Sequence, residues 1–262
     1  MSSWPPMFRF TIRDVLWLTV VVALSVAVVR GEEQTKEVKS AAAQWIAERQ
    51  EAFKSYTFQM GDNGDRLVLE SRSILNWSNP ERSAAKGGVF LWNYNGRPQL
   101  VACAFMNRDK VEHEFQSLAT QSIVAERDSR QVHRFEPGIE WMPLKDAPTP
   151  ATKPALRLTQ FRRQAERFDI SFGEKEKWTQ TRMLTQPVFQ SEDQSVALFL
   201  FVQGTDPECT LLLKIEDDKT WHLALARQTS YGLKAKVDEE VLWERMPTWL
   251  TKPGTSFVVL TE

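Results

Sequence analysis

Mostly apolar residues form one uncharged run near the N-terminus, and farther along the chain apolar residues alternate with polar ones. The run lies within residues 8–29, and Val15 to Val29 contains fifteen residues without a charge. As a helix this part would be about 22 Å long, shorter than the roughly 30 Å hydrocarbon core of a membrane. Arg9 and Arg13 could lengthen the span by reaching the headgroups. Residues 1–30 are therefore predicted to be an uncleaved anchor, with a cleaved secretion signal and a buried core helix as alternatives.

The flanking charges do not decide which side of the membrane the body occupies. Arg9 and Arg13 precede the run, and Arg30, Lys36 and Lys39 follow it. An N-terminal apolar segment followed by a long folded domain usually exports that domain. We therefore expect a single-pass protein of the cell membrane with an extracytoplasmic body, or a secreted protein if the segment is cleaved.

Two later stretches show helical periodicity. In residues 31–54, apolar side chains recur at helical spacing between Lys and Glu, which predicts an amphipathic helix that docks through Trp45, Ile46 and Phe53. Ala155 to Phe168 shows the same periodicity and predicts a second helix.

The rest of the body shows the alternation of strands. Val89–Tyr94, the turn residues Asn95-Gly96 and Gln99–Phe105 predict a β-hairpin, because Asn-Gly adopts the positive φ angles of a tight turn. The stretch Ser83–Gly88 just before it is predicted to be a polar loop. Val196–Gln203 is apolar on both faces, which indicates a strand that is covered on both sides.

The strand-rich region divides at a proline-rich segment, Met142–Pro154. The predicted units are a first β unit over residues 55–149 and a second, helix-plus-β unit over residues 150–262. A shift of 109 residues aligns them without a gap, placing Phe90 on Phe199, Pro98 on Pro207, His113 on His222 and Val124 on Leu233. The match predicts an internal duplication, although two antiparallel meanders could also resemble each other by chance.

These patterns together predict an α+β fold. After the N-terminal apolar helix, two similar helix-plus-antiparallel-meander units would pack into one body with about a dozen strands. In each unit a helix would cover one face of the sheet, and the partner sheet would cover the other.

Composition and charge narrow the function classes. The chain has 33 Lys and Arg against 34 Asp and Glu, so no bulk positive charge points to nucleic acid. Its two cysteines, Cys103 and Cys209, each lie in an apolar strand pattern. They are expected to be small buried hydrophobic residues, and a bridge between them is the alternative in an exported protein.

The candidate chemistry is limited to two histidines. His113 and His222 fall on each other in the 109-residue alignment and could meet to share a ligand, although a histidine satisfied on a repeated strand is the favoured interpretation. A zinc site needs three or four ligands, and the third histidine, His133, aligns with Leu242. No nucleophile, phosphate-loop or paired-cysteine motif is present. The sequence thus predicts no catalytic residue, no metal and no cofactor.

A resemblance to a known family rests on short phrases. Phe10 to Thr19 resembles the "F-S-L-R-D-L-L-W-L-T" opening of uncharacterised membrane-anchored or secreted proteins of planctomycete bacteria. Gly87 to Trp92, His113 to Leu118 and Phe201 to Pro207 are similar to later phrases of such proteins. The resemblance implies a bacterial envelope protein and brings no catalytic residue with it.

The expected function is a non-catalytic binding or structural role, with the membrane as one partner through residues 8–29 and an envelope protein as another. The alternatives are a carrier or sensor that holds an apolar ligand between the two half-sheets, and a hydrolase of unrecognised family. The hydrolase would place His113, His133 or His222 in a cleft beside an acidic or hydroxyl side chain.

Overall fold

The computed structural model describes residues 41–61, 64–79, 84–107, 109–250 and 256–261. The chain divides into two compact units, residues 1–47 and residues 48–262. Helix α1 covers residues 41–53, of which 48–53 belong to the second unit. The apolar segment at 8–29 lies outside the described residues. Within the described residues, no helix has the length and apolar character needed to span a bilayer.

In the first half of the body, residues 55–149, the described residues form ten strands. They are β1 (Tyr56–Met60), β2 (Asp65–Arg66), β3 (Val68–Leu69), β4 (Leu75–Asn79), β5 (Ala84–Tyr94), β6 (Arg97–Asn107), β7 (Lys110–Ser117), β8 (Ile123–Arg127), β9 (Arg130–Phe135) and β10 (Met142–Pro143).

In the second half, residues 150–262, the described residues form helix α2 (Pro154–Ala165), then ten strands and one 3-10 helix, Thr248–Leu250. The strands are β11 (Phe168–Glu174), β12 (Lys177–Gln180), β13 (Arg182–Met183), β14 (Phe189–Gln190), β15 (Val196–Gln203), β16 (Asp206–Glu216), β17 (Thr220–Arg227), β18 (Gly232–Val237), β19 (Glu240–Arg245) and β20 (Phe257–Thr261).

The strands form four antiparallel sheets, two in each half. Outer sheet 1 has the order β2-β1-β8-β9, and outer sheet 2 has the order β12-β11-β18-β19. Inner sheet 1 has the order β20-β7-β6-β5-β3, with β4 also paired to β5. Inner sheet 2 has the order β10-β17-β16-β15-β13, with β14 also paired to β15.

The predicted α+β class is wrong, because antiparallel strands dominate the fold. The described part contains twenty strands rather than about a dozen, and its α-helices are confined to residues 41–53 and Pro154–Ala165. Several strands have only two residues, such as β2, β3 and β13, and are defined by their pairing with a longer strand. Sequence patterns detect such strands poorly because two residues have no measurable period. The fold is β-rich.

The two halves share their strand order and the positions of their irregularities. In the first half the register shifts between Trp92 and Asn93, and in the second it shifts between Phe201 and Val202, 109 residues later. Both bulges are also bonded in the same way to the residue that follows the third strand. The Leu118 N–H donates to the Gln99 carbonyl oxygen, and the Gln228 N–H donates to the Glu208 carbonyl oxygen, each at 2.7 Å. An internal duplication as the origin of this likeness stays a prediction.

The offset between the halves changes from 109 to 110 after the second hairpin. Asn107 pairs with Lys110 across a two-residue turn, whereas Glu216 pairs with Thr220 across a three-residue turn. The gapless alignment therefore fails beyond this point. Ala104 pairs with His113 and its counterpart Leu213 pairs with Leu223, so His113 corresponds to Leu223 and not to His222.

Each half gives its last strand to the other half. Strand β10, which follows β9, pairs with β17 of inner sheet 2, and β20, which follows β19, pairs with β7 of inner sheet 1. These strands cover edges that would otherwise leave backbone N–H and C=O groups unpaired.

The inner sheets pack against each other through a shared apolar core. Leu91 and Val101 of inner sheet 1 and Leu198 and Leu212 of inner sheet 2 belong to one buried cluster. The opposite face of inner sheet 2, including Phe199, packs with α2 and outer sheet 2. The prediction that both faces of Val196–Gln203 are covered is confirmed.

The outer face of inner sheet 1 carries an aromatic cluster. Phe53 is fully buried, and its ring centroid lies 4.7 Å from that of Phe90 and 5.3 Å from that of Trp92. Phe115 of β7 belongs to the same cluster, and its ring centroid lies 5.5 Å from that of Phe58 in outer sheet 1. Since side chains alternate along a strand, residues 114 and 116 of β7 face the opposite side.

Candidate functional site: two pockets where the halves meet

His113 is enclosed in the aromatic cluster. Its side chain has no solvent exposure, and its ring lies 4.6 Å from the ring of Phe53. Its Nδ1 atom lies 3.2 Å from the Tyr56 hydroxyl oxygen. A residue in this position supports the core and is closed to any ligand.

The two candidate histidines do not meet. His222 lies on β17 beside Pro143 and Lys214, and its Nε2 atom is 3.4 Å from a carboxylate oxygen of Glu216. His113 lies on a different sheet, on the face that packs against Phe53. The two histidines lie in different environments because the extra turn residue shifts the second half by one position. As a result, His222 lies one position before the residue that corresponds to His113.

The candidate functional site consists of two pockets that adjoin the inner side of β7. Glu114 lines one and Gln116 lines the other. We call the first the acidic pocket, lined by Trp77, Phe105, Glu114, Asp206, Gln228 and Tyr231 among others. We call the second the arginine pocket, lined by Gln116, Arg227, Arg245, Thr248, Ser256 and Phe257 among others. Residues from both halves line each pocket.

The acidic pocket has a volume of about 190 Å³ and combines carboxyl groups with aromatic walls. Glu114 is only 8% exposed, and burial raises its pKa well above the usual range for glutamate. The carboxylates of Asp206 and Glu208 raise the pKa of Glu114 further. These influences favour the neutral form of Glu114, and a neutral carboxyl group can donate as well as accept a hydrogen bond to a small polar molecule.

Cys103 lies beside Glu114 in the β6–β7 pair and accepts a hydrogen bond from the Trp77 indole nitrogen at 3.1 Å. Burial raises the pKa of the Cys103 thiol, and the nearby Glu114 raises it further. A thiol held in its neutral form is a poor nucleophile. This cysteine therefore supports packing behind the acidic pocket rather than covalent chemistry.

The arginine pocket has a volume of about 250 Å³ and contains two guanidinium groups. Arg227 is 9% exposed and donates from Nη2 to the Met246 carbonyl oxygen at 2.7 Å. Burial lowers the pKa of Arg227, and the charge of Arg245 lowers it further. An arginine stays charged at neutral pH despite such shifts, so this pocket presents fixed positive charge.

No arrangement of three or more histidine, cysteine or acidic side chains suited to a metal ion occurs among the described residues.

Sequence reasoning missed both pockets. The available signal was polar residues at buried strand positions: Glu114 and Gln116 interrupt the inner face of β7, and Arg227 ends the apolar strand β17. By itself, a single polar residue within a strand or at a strand end is too common to indicate a site. Only the packing of the two halves brings them to common pockets.

Comparisons with known proteins add no relative: no protein-family model matches the chain, and no curated protein or solved structure matches it either.

Proposed function

We propose that this protein is a non-catalytic binding protein, held at the outer side of the cell membrane by residues 8–29, that takes up small polar molecules where its two halves meet. The observation that carries the proposal is the pair of pockets along β7, each with charged side chains and aromatic walls. Pockets of this composition, at the junction of two packed parts, are the usual place for small ligands.

Binding is favoured over catalysis because the three histidines do not line either pocket and the cysteine beside the acidic pocket is a poor nucleophile. His113 is enclosed among aromatic rings, and neither His133 nor His222 lines either pocket. Cys103 is a buried thiol with a raised pKa. The hydrolase alternative would need one of these groups in contact with a bound substrate.

A polar ligand is favoured over an apolar one carried between the half-sheets. Side chains of the two inner sheets, such as Leu91 and Leu198, pack together in one buried cluster. The two pockets lie beside this cluster and have mixed polar and apolar walls, so their chemistry suits a small polar molecule.

Binding can be tested by thermal unfolding of the full-length protein, purified in a mild detergent, with small organic cations, anions and neutral compounds. Three matched variants separate the pockets: Thr229→Trp fills the acidic pocket, Thr248→Trp fills the arginine pocket, and Thr220→Trp places the same side chain on an exposed position of β17. A ligand should raise Tm in the wild type and in Thr220→Trp, and one pocket variant should abolish its effect. Shifts that survive both pocket variants would contradict the proposal.

The membrane part of the proposal is tested separately. With a tag after Glu262, the chain should fractionate with membranes at full mass, and protease should reach its body only from the extracytoplasmic side. A soluble product shortened by the N-terminal segment would instead indicate a cleaved signal. The resemblance of Phe10 to Thr19 to planctomycete envelope proteins supports a membrane location in a bacterium.

A further inference from the structure

Arg227 is a nearly buried cation without a carboxylate partner among the described residues. Its guanidinium group carries five N–H donors. One N–H bonds the Met246 carbonyl oxygen, and the guanidinium carbon lies 5.6 Å from the centre of the Phe257 ring. In the described part of the chain no carboxylate forms an ion pair with Arg227. Buried charges are normally paired, because removing a charge from water without a counter-charge is costly.

A second cation lines the same pocket. Arg245 lies over the Trp243 ring, 4.8 Å from its centre, and donates to the Glu244 carbonyl oxygen at 3.1 Å. Its charge is close enough to lower the pKa of Arg227. The two positive charges repel each other, and an anion bound between them would be attracted to both.

The acids among the described residues do not supply that counter-charge. Glu114 is the carboxyl group that acts on Arg227, and burial favours its neutral form. Asp206, Glu208 and Glu112 favour the neutral form of Glu114 as well, because their charges raise its pKa. The charge of Arg227 lowers the pKa of Glu114, but this effect is smaller than those that raise it. No acid in the described part of the chain therefore neutralises the positive charge of the arginine pocket.

We propose that the arginine pocket binds a small organic anion through a carboxylate or phosphate group placed between Arg227 and Arg245. The inference rests on the proposed binding function and names its ligand class. Guanidinium groups suit these oxyanions because they can donate two parallel hydrogen bonds. Phe257, Trp243 and Met246 line the same pocket and provide apolar contact for the organic part. A volume of about 250 Å³ limits the ligand to a small molecule.

Titration calorimetry of the full-length protein in detergent, with four probes of similar size, tests the anion. Benzoate and phenyl phosphate carry the two proposed groups, benzyl alcohol is neutral, and benzylamine is cationic. We expect one or both anions to bind, and the neutral and cationic probes to bind at least about tenfold more weakly at this pocket. The stronger of the two anions identifies the preferred group.

Removing charge from the pocket should weaken anion binding. Arg245→Gln alters an exposed side chain and should raise the Kd at least about tenfold. Arg227→Met should abolish binding while keeping most of the side-chain volume. Because Arg227 is buried, its variant is first checked for a cooperative unfolding transition, and Arg245→Gln carries the test if that variant does not fold. Arg130→Gln removes one positive charge from an exposed position of β9 and should leave binding unchanged.

The outcomes separate this inference from the binding function itself. Anion binding that Arg245→Gln leaves unchanged, or anions that bind no better than benzyl alcohol, would overturn the anion site. If benzylamine or benzyl alcohol then bound and Thr229→Trp or Thr248→Trp abolished the binding, the binding function would stand without the anion. The absence of binding by every probe at millimolar concentration would count against both.

Discussion

The guanidinium group of Arg97 binds both carboxylate oxygens of Asp193, at 2.9 Å and 2.6 Å, and joins the tip of the β5–β6 hairpin to the loop before β15. The reciprocal contact joins the tip of the β15–β16 hairpin to the first half, where Asn79 donates to Asp206 at 3.2 Å. Asp206 and Arg97 occupy equivalent positions, because each begins the second strand of its hairpin: Asp206 pairs with Gln203, and Arg97 pairs with Tyr94. Equivalent hairpin tips thus reach across the junction in both directions.

The Arg97–Asp193 pair should stabilise the protein in a pH-dependent way. Hydrogen bonds from Arg97, and further bonds from Ser191 and Ser195, hold the pKa of Asp193 below its usual range. A depressed folded-state pKa contributes stability above the unfolded-state pKa of about 4 and loses it as the pH falls through the folded-state value. Asp193→Asn should therefore lower the free energy of unfolding at neutral pH, and the deficit should shrink below about pH 4.

The expected deficit is under about 1 kcal/mol, because both side chains are partly exposed and solvent screens the pair. Urea unfolding at neutral and acidic pH measures it. Glu192→Gln, at the exposed neighbouring position, serves as the control. A deficit that grows as the pH falls would contradict the assignment.

The contact between His113 and Tyr56 should be structural and measurable by a double-mutant cycle. Tyr56→Phe and His113→Leu each remove one side of the hydrogen bond. We expect Tyr56→Phe to cost about 1 kcal/mol, and His113→Leu to cost about 1–3 kcal/mol because it also disturbs the packing on Phe53. The double variant should be more stable than the sum of the single effects predicts. Strict additivity would show that the contact contributes no stability.

Gly87 should not tolerate a side chain. A Cβ atom at this position would lie 2.2 Å from the Trp77 indole, whose nitrogen bonds Cys103. Gly87→Ala is expected to lower the free energy of unfolding by about 1–3 kcal/mol, because the buried indole must move. The same change in a Trp77→Leu background should cost much less. An equal cost in both backgrounds would exclude the indole as the cause.

Cys103 and Cys209 should both be free and protected in the folded protein. They lie in different core clusters, Cys103 between the inner sheets and Cys209 on the opposite face of inner sheet 2, which excludes a bridge between them. Burial raises the pKa of both thiols. A disulfide-forming thiol reagent should thus label neither in native buffer and both in urea. Fewer than two labelled thiols after unfolding would contradict this assignment.

The strand patterns predicted more of the local structure than of the fold class. The Asn95-Gly96 turn is confirmed, with φ angles of 49° and 69°. The predicted polar loop at Ser83–Gly88 is wrong, because residues from Ala84 onward belong to β5. Glycine at position 87 weakens any strand signal, yet its missing side chain makes room for the Trp77 indole. That requirement arises from a residue on another strand.

The sequence by itself determined that the strand Val196–Gln203 is covered on both faces, since its apolar residues at successive positions show this without any partner. The tertiary structure decided which residues share a site. One extra residue in the turn after Glu216 moves every later position of the second half by one, and a one-residue shift reverses the face of every side chain in a strand. His113 and His222 were therefore separated. Glu114, Gln116 and Arg227 came to adjoining pockets because the two halves pack face to face.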